Sequence, residues 1–277
     1  MSDRSALRRL AWALMIGIAL VITIVPIYWM IATSLKTNKE ITLDGTLVPR
    51  APTFDNYRRL FAERNFGAFL RNSVIVTSVS TAIALAMGSL AAYSLARFRL
   101  RFNLQRRFGA MLLMARIVPP PVIVVPIYLM MLKLGLMNTW LGLIIVYTAF
   151  NVSLVVWMME SFFREIPVDL EEAAMVDGDS RLSAFLRVVV PLAAPGLAAT
   201  GIFAAIATFN EFLFALVLTA TPASMTLPRG TATLIGRIDI DWGAMAAAGV
   251  IGALPIVVFA LLVQRHLVRG LTFGAVK

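Results

Sequence analysis

The sequence predicts an all-α polytopic membrane protein, and three observations carry that reading. Only 14% of the 277 residues are charged, against about 25% in an ordinary water-soluble domain. Mean hydropathy is +0.84. The apolar residues also fall in long charge-free blocks: Leu10 to Leu35, Asn72 to Ala96, Leu134 to Met159, Val188 to Asn210, and Trp242 to Gln264. Each block supplies the roughly 20 helical residues needed to cross a bilayer core.

The spans follow in order. Residues 1–10 carry Arg4, Arg8 and Arg9 ahead of an apolar run, which imitates a signal peptide. The run is too long for a signal h-region, and no small-x-small cleavage site follows before Lys36. It reads as an uncleaved first span, roughly 11–33, followed by an outer loop over 34–71. In that loop Asp55 is placed to cap a short helix with Tyr57, Leu60, Phe61 and Phe66 near one face, an amphipathic segment suited to the outer membrane surface. The second span covers roughly 72–97. The third, roughly 108–132, contains Arg116, Pro119, Pro120, Pro121 and Pro126. Proline removes a backbone donor and clashes with the preceding turn, so this span is expected to be kinked or broken. The remaining spans are roughly 139–160, 193–220 and 243–265, which makes six. Small residues at helical spacing (Ser78, Ala82, Ala86; Ala244, Ala248, Gly252) suit close helix packing in lipid.

Charge sets the orientation. The loop 97–107 holds Arg97, Arg99, Arg101, Arg106 and Arg107 and no acid, a cytoplasmic signal. It places the N-terminus, the segment 160–191 and the C-terminal tail 266–277 inside. The net charge of +10 reads as part of the same pattern, so no nucleic-acid partner is expected. The absence of cysteine excludes disulfides and thiolate metal sites. His266, the single histidine, sits beside Arg265 and reads as an interfacial cation. No catalytic, cofactor-binding or metal-ligating residue is expected.

The segment 160–191 is unusual for a connection between spans, because it is charged and encodes two short helices. Pro167 suits a first helical position. Asp169, Glu171 and Glu172 follow where the helix dipole favours acids, and Gly178 can take the left-handed conformation that ends the helix. Ser180 can cap a second helix, which Pro191 helps to end. Ala173 and Ala174 leave the middle slim enough for a partner to approach the backbone. A docking surface and a solvated loop are both consistent with these local rules.

The motif separates them. Glu172-Ala173-Ala174, three residues, Gly178, nine residues, then Val188-x-Val190-Pro191 resembles the EAA loop of permeases of ATP-binding-cassette importers, with Val for the usual Ile and Leu. Further stretches resemble the carbohydrate, maltose-type branch: Thr53-Phe54-Asp55-Asn56-Tyr57, Arg71-Asn72-Ser73, Ala91 to Arg97, Phe162 to Pro167, and Gly270 to Lys277. The chain departs from the pattern at Phe209, where the family often has Trp, and at Phe273, where it usually has a small residue. The resemblance implies a core over 72–277 and a coupling helix in which Glu172, Ala173, Ala174, Asp177, Gly178 and Pro191 contact the ATPase. It also implies a second homologous permease subunit forming a heterodimer, a cytoplasmic ATPase dimer that holds ATP and Mg, and a periplasmic or lipid-anchored solute-binding protein. The site would be a bacterial inner membrane and the cargo a sugar or polyol. The chain has no Gly-x-x-x-x-Gly-Lys-Ser/Thr loop with which to hold ATP itself.

Candidate pathway residues are Arg116, Tyr147, Asn151, Phe209, Asn210 and Glu211. Charges inside spans are costly and are usually functional or paired. Arg116 and Glu211 either face the bundle interior or snorkel to an interface. The main alternative is an ion-coupled secondary transporter, which would show inverted repeats and several intramembrane carboxylates. Glu211 is the one acid inside a predicted span.

Overall fold

The computed structural model describes residues 2–98, 108–109, 111, 114, 117–236 and 240–273, with side chains from residue 9 to 262 within those segments, Asp44 excepted. Regular structure among the described residues is helical, apart from one isolated bridge between Ile235 and Ile240. The chain divides into two compact units: Met1–Phe66 with Thr231–Leu254, and Gly67–Gly230 with Pro255–Lys277.

In the first unit, helix α1 (Ser2–Ser34) is long, apolar and exposed. Beyond it a wide-turn segment, Glu40–Asp44, ends at Gly45, whose φ of 53° is left-handed. Helix α2 (Asp55–Glu63) corrects two expectations. Asp55 lies inside the first turn and does not cap it; instead Thr53 Oγ1 accepts its N–H at 3.1 Å. The buried face is Asn56 and Leu60, while Phe61 is half exposed. The physical reason is a polar demand. Asn56 Nδ2 donates to the carbonyls of Ser34 and Lys36, both at 2.8 Å, and so satisfies groups left open at the end of α1. Arg59 holds Asn56 Oδ1 at 2.6 Å and Asp241 at 3.2 Å.

The second unit contains α3 (Phe66–Arg97, from its second residue), α4 (Pro120–Lys133), α5 (Trp140–Glu165), α6 (Val168–Val176), α7 (Arg181–Leu192), α8 (Ala194–Phe209), α9 (Leu213–Leu218) and α10 (Leu227–Ala232). The last helix, α11 (Trp242–Phe273), begins in the first unit and ends in the second. One apolar core joins Ala84 and Tyr93 of α3 with Val155, Met159 and Phe163 of α5 and Phe185 and Val189 of α7. Another joins Val76, Met131, Leu143, Tyr147, Phe214 and Leu218. The Ser78, Ala82 and Ala86 stripe of α3 is exposed, against expectation. The opposite face, through Val76, Ser80, Ala84 and Gly88, is the packed one. In α11 the expected small face holds, with Ala244 and Ala248 buried.

Among the described residues, four helical stretches are long and apolar enough to cross a membrane: Arg9–Ser34, Phe66–Arg97, Trp140–Glu165 and Trp242–Leu262. The pair α7 and α8, bent by 78°, gives a fifth if it is one span. The expected third span is broken at its first prolines, as expected: Ile117 is helical, Pro119 is the extended N-cap, Pro120 opens α4, where the missing N–H costs nothing, and Pro126 lies inside that helix. At 14 residues, α4 is about 21 Å long, short of a core of roughly 30 Å. Arg116 lies outside the described residues, as does most of the basic loop 97–107 and the end of the C-terminal tail.

The expected fifth span, 193–220, is broken after Phe209 and resumes at Leu213. Its start is also displaced. Helix α7 runs past Pro191 to Leu192, because the donor that Pro191 lacks is absorbed by a wider turn over Phe185–Val189. The sharp bend comes at Ala193, just ahead of Pro195.

Candidate functional site

The loop between α5 and α8 presents one exposed face. Glu172, Ala173, Val176, Asp177, Gly178 and Pro191 are exposed, and Ala174 is half buried. Val176 is 87% exposed, an apolar side chain offered to solvent. Helix α6 ends as the glycine predicts. Gly178 has φ 99°, its N–H bonds Met175 O at 3.2 Å, and the N–H of Asp179 reaches back to Ala174 O at 3.0 Å. This is the Schellman closure of a helix. Ser180 caps α7 by accepting the N–H of Ser183 at 3.2 Å. Asp179 accepts from Ser183 Oγ at 2.7 Å and Arg187 at 3.0 Å.

The opposite face of α6 is anchored by one residue. Glu171 is buried, and both of its carboxylate oxygens are used. Oε1 accepts from Arg97 Nε and Oε2 from the Tyr93 hydroxyl, each at 2.6 Å. Arg97 also donates to the Ile166 carbonyl at 2.8 Å. The Tyr93 ring meets Phe163 at 6.1 Å and Phe185 at 4.5 Å between centroids.

A cavity of about 250 Å³ opens where α5 passes the break between α8 and α9, lined by Val118, Pro120, Tyr147, Phe150, Asn151, Ala207, Thr208, Glu211 and Phe214. Glu211 makes the break tolerable. Its carboxylate caps α9, accepting the N–H of Phe214 at 3.0 Å and of Ala215 at 3.2 Å. The Tyr147 hydroxyl donates to the same carboxylate at 2.7 Å. One turn along, Asn151 Nδ2 donates to Thr208 Oγ1 at 2.6 Å. The rings of Phe150 and Phe214 lie 5.0 Å apart. The wall therefore combines a hydroxyl, an amide and a carboxylate with aromatic faces.

Residues 69–273 match the family described as "Binding-protein-dependent transport system inner membrane component". The chain belongs to this family. Among its relatives, a trehalose transport system permease protein of Mycobacterium tuberculosis is 39% identical over 98% of this chain and 99% of its own length. A sulfoquinovosyl glycerol transport system permease protein of Agrobacterium fabrum is 38% identical over 94% and 91%. A trehalose/maltose transport system permease protein of Thermococcus litoralis is 37% identical over 93% and 92%. A chain in the crystal structure of a bacterial ABC transporter for the import of alginate has the same fold, with a TM-score of 0.81, 23% identity, and coverage of 96% of this chain and 98% of that one.

The family member's cavity gathers three of the six expected pathway residues, Tyr147, Asn151 and Glu211. Phe209 is buried away from it, and Asn210 is exposed, with its amide returned to the Ile206 carbonyl at 2.9 Å. Sequence reasoning missed Thr208, Phe150 and Phe214 in the cavity, and Arg97, Tyr93 and Glu171 at the loop. An acid directly before the Glu172 motif was visible; that it turns inward was not.

Proposed function

We propose that this chain is the permease subunit of an ATP-binding-cassette importer for a neutral sugar or polyol, with Glu172 to Gly178 as its coupling helix. The observation that carries the reading is the exposed face of α6. A membrane protein that leaves Val176 in solvent, on a helix closed by Gly178 and tethered through one buried acid, presents a surface that a partner can cover. Glu172, Ala173, Ala174, Asp177 and Gly178 form it, and Pro191 marks its far end.

In this reading the chain binds no nucleotide. ATP and Mg belong to a cytoplasmic ATPase dimer, and closure of that dimer draws the two coupling helices of a permease heterodimer together. Cargo release from an external solute-binding protein is then linked to a population shift between inward-open and outward-open states. The N-terminus, the loop 160–191 and the C-terminal tail face the cytoplasm, in agreement with the basic loop at 97–107.

Cargo class is supported by the relatives named for trehalose and for trehalose and maltose. The cavity chemistry agrees. Hydroxyl-rich ligands need polar groups that match their hydroxyls and apolar faces that cover their C–H surfaces, and Tyr147, Asn151, Thr208 and Phe150 provide both kinds.

Co-purification tests the reading. The chain is expressed with the other subunits of its importer, and Glu172→Lys and Gly178→Pro are compared with wild type. The expected result is loss of the ATPase from a permease that stays folded in the membrane. Full retention of the ATPase by both variants, or transport that persists without any ATPase, would favour an ion-coupled transporter instead.

A further inference from the structure

The junction behind the coupling face does more than hold the loop in place. The last turn of α3 touches every element that meets there. Arg97 pairs with Glu171 of α6 and bonds the Ile166 carbonyl at the end of α5. Tyr93, one turn earlier, bonds the other oxygen of Glu171 and packs its ring on Phe163 of α5 and Phe185 of α7. The Arg97 and Glu171 side chains are 6% and 5% exposed, so water cannot substitute for either partner. An ion pair held this deep resists separation, because a lone buried charge is strongly unfavourable. A carboxylate whose two oxygens are held by separate donors one turn apart on α3 is fixed in direction as well as distance. By contrast, the neighbouring Glu160 and Arg164 pair has a similar 2.7 Å separation, but Arg164 is 59% exposed, and it lies within one helix.

We infer that Arg97, Glu171 and Tyr93 form a rigid latch that makes α6 and the end of α3 move as one body, so that displacement of the coupling face is delivered to α3. The inference rests on the coupling reading above. Glu171, Arg97 and Tyr93 are positioning residues and line no part of the cavity at Tyr147 and Glu211. A loop attached only by its chain ends would flex at Pro167 and Ala193 and dissipate the push. The latch removes that freedom through a contact 74 residues apart in sequence.

The chain contains no cysteine, so paired spin labels can be placed on it without background from its own thiols. Val168→Cys and Met87→Cys, on exposed positions of α6 and α3, report their separation by pulsed electron resonance in the complete importer, with and without ATP–Mg. With the latch intact, the separation is expected to be a single value that ATP–Mg leaves unchanged. In Glu171→Gln and in Tyr93→Phe, which keep shape and packing, α6 is expected to follow the ATPase without α3. The separation should then shift by about 2 Å or more while the ATPase still co-purifies. A nucleotide-dependent shift in the wild-type latch, or none in either variant, would overturn the inference. Failure of the ATPase to co-purify with wild type would instead sink the coupling reading on which it rests.

Discussion

Two sites in the second unit use the same pair of residue types to opposite ends. At the loop between α5 and α8, Glu171 accepts from Tyr93, and at the cavity, Glu211 accepts from Tyr147. Glu171 also has a guanidinium at 2.6 Å and is buried. The described partners of Glu211 are neutral: a phenol and two backbone N–H groups. A carboxylate with a counter-charge and no access is a fastener. A carboxylate held by neutral donors at the wall of a cavity can exchange one of them for a ligand hydroxyl. Burial and charge pairing, not residue type, separate the two roles.

The largest effect should come from the fastener. Replacing Arg97 with alanine leaves Glu171 as an unpaired buried charge, at an expected cost of about 3–5 kcal/mol. Arg164→Ala, which removes an exposed partner from an (i, i+4) pair, should cost no more than about 0.5 kcal/mol. Thermal unfolding of the two variants in detergent compares them, and equal losses would dissolve the distinction.

Next comes Gly142. A Cβ there would sit 2.5 Å from the Leu136 carbonyl oxygen, a backbone atom. Gly142→Ala should cost about 1–3 kcal/mol and loosen the start of α5, which carries Tyr147 and Asn151 into the cavity. The same unfolding measurement checks it.

Smaller again is the cavity bond. Tyr147→Phe removes the hydroxyl bound to Glu211. Side-chain hydrogen bonds between membrane helices are worth about 0.6 kcal/mol on average, with a maximum near 1.7, so stability should fall only slightly. Cargo uptake by the reconstituted importer should fall more than stability does. An uptake loss that merely tracks unfolding would remove Tyr147 from the pathway.

The smallest effect is confined to the segment between α1 and α2. The Glu40 carboxyl is held below its ordinary value of 4.5, first by the Arg50 backbone N–H and then by Thr46 and the Lys36 and Arg50 charges, against opposition from burial. A lowered folded-state value contributes stability above the ordinary carboxylate range, and this is lost as pH falls through the lowered value. Glu40→Gln should therefore loosen the 34–54 segment at neutral pH and make no difference once the wild-type carboxyl is protonated in acid. Limited proteolysis across that range reads the difference.

Much of this was legible in the sequence because it depends on local rules. Charge-free blocks gave the long helices. Gly178 and Ser180 sit where a helix must end and another begin, and both do what their chemistry dictates. The cavity was only half legible. Tyr147, Asn151 and Glu211 stand out as polar groups in apolar runs, but Thr208 and Phe150 look like ordinary packing until α5 and α8 are laid side by side. The break after Phe209 was hidden for a related reason. Nothing in Asn210-Glu211-Phe212 forbids helix, and the interruption is stabilised by Glu211 reaching forward to cap α9. Glu171 was the hardest to read, since its neighbour Glu172 carries the motif, and only the third dimension shows which of the two turns inward.

The most direct measurement is a cross-link. In a chain without native cysteine, Val176→Cys places a single thiol at an 87% exposed point of α6, and Phe61→Cys places one on the half-exposed face of α2 as a control. With a short bifunctional reagent in intact membranes, Val176→Cys should join the ATPase subunit while Phe61→Cys does not. If Val176→Cys captures no ATPase, or both positions capture it equally, then α6 is not the surface through which ATP hydrolysis drives this permease.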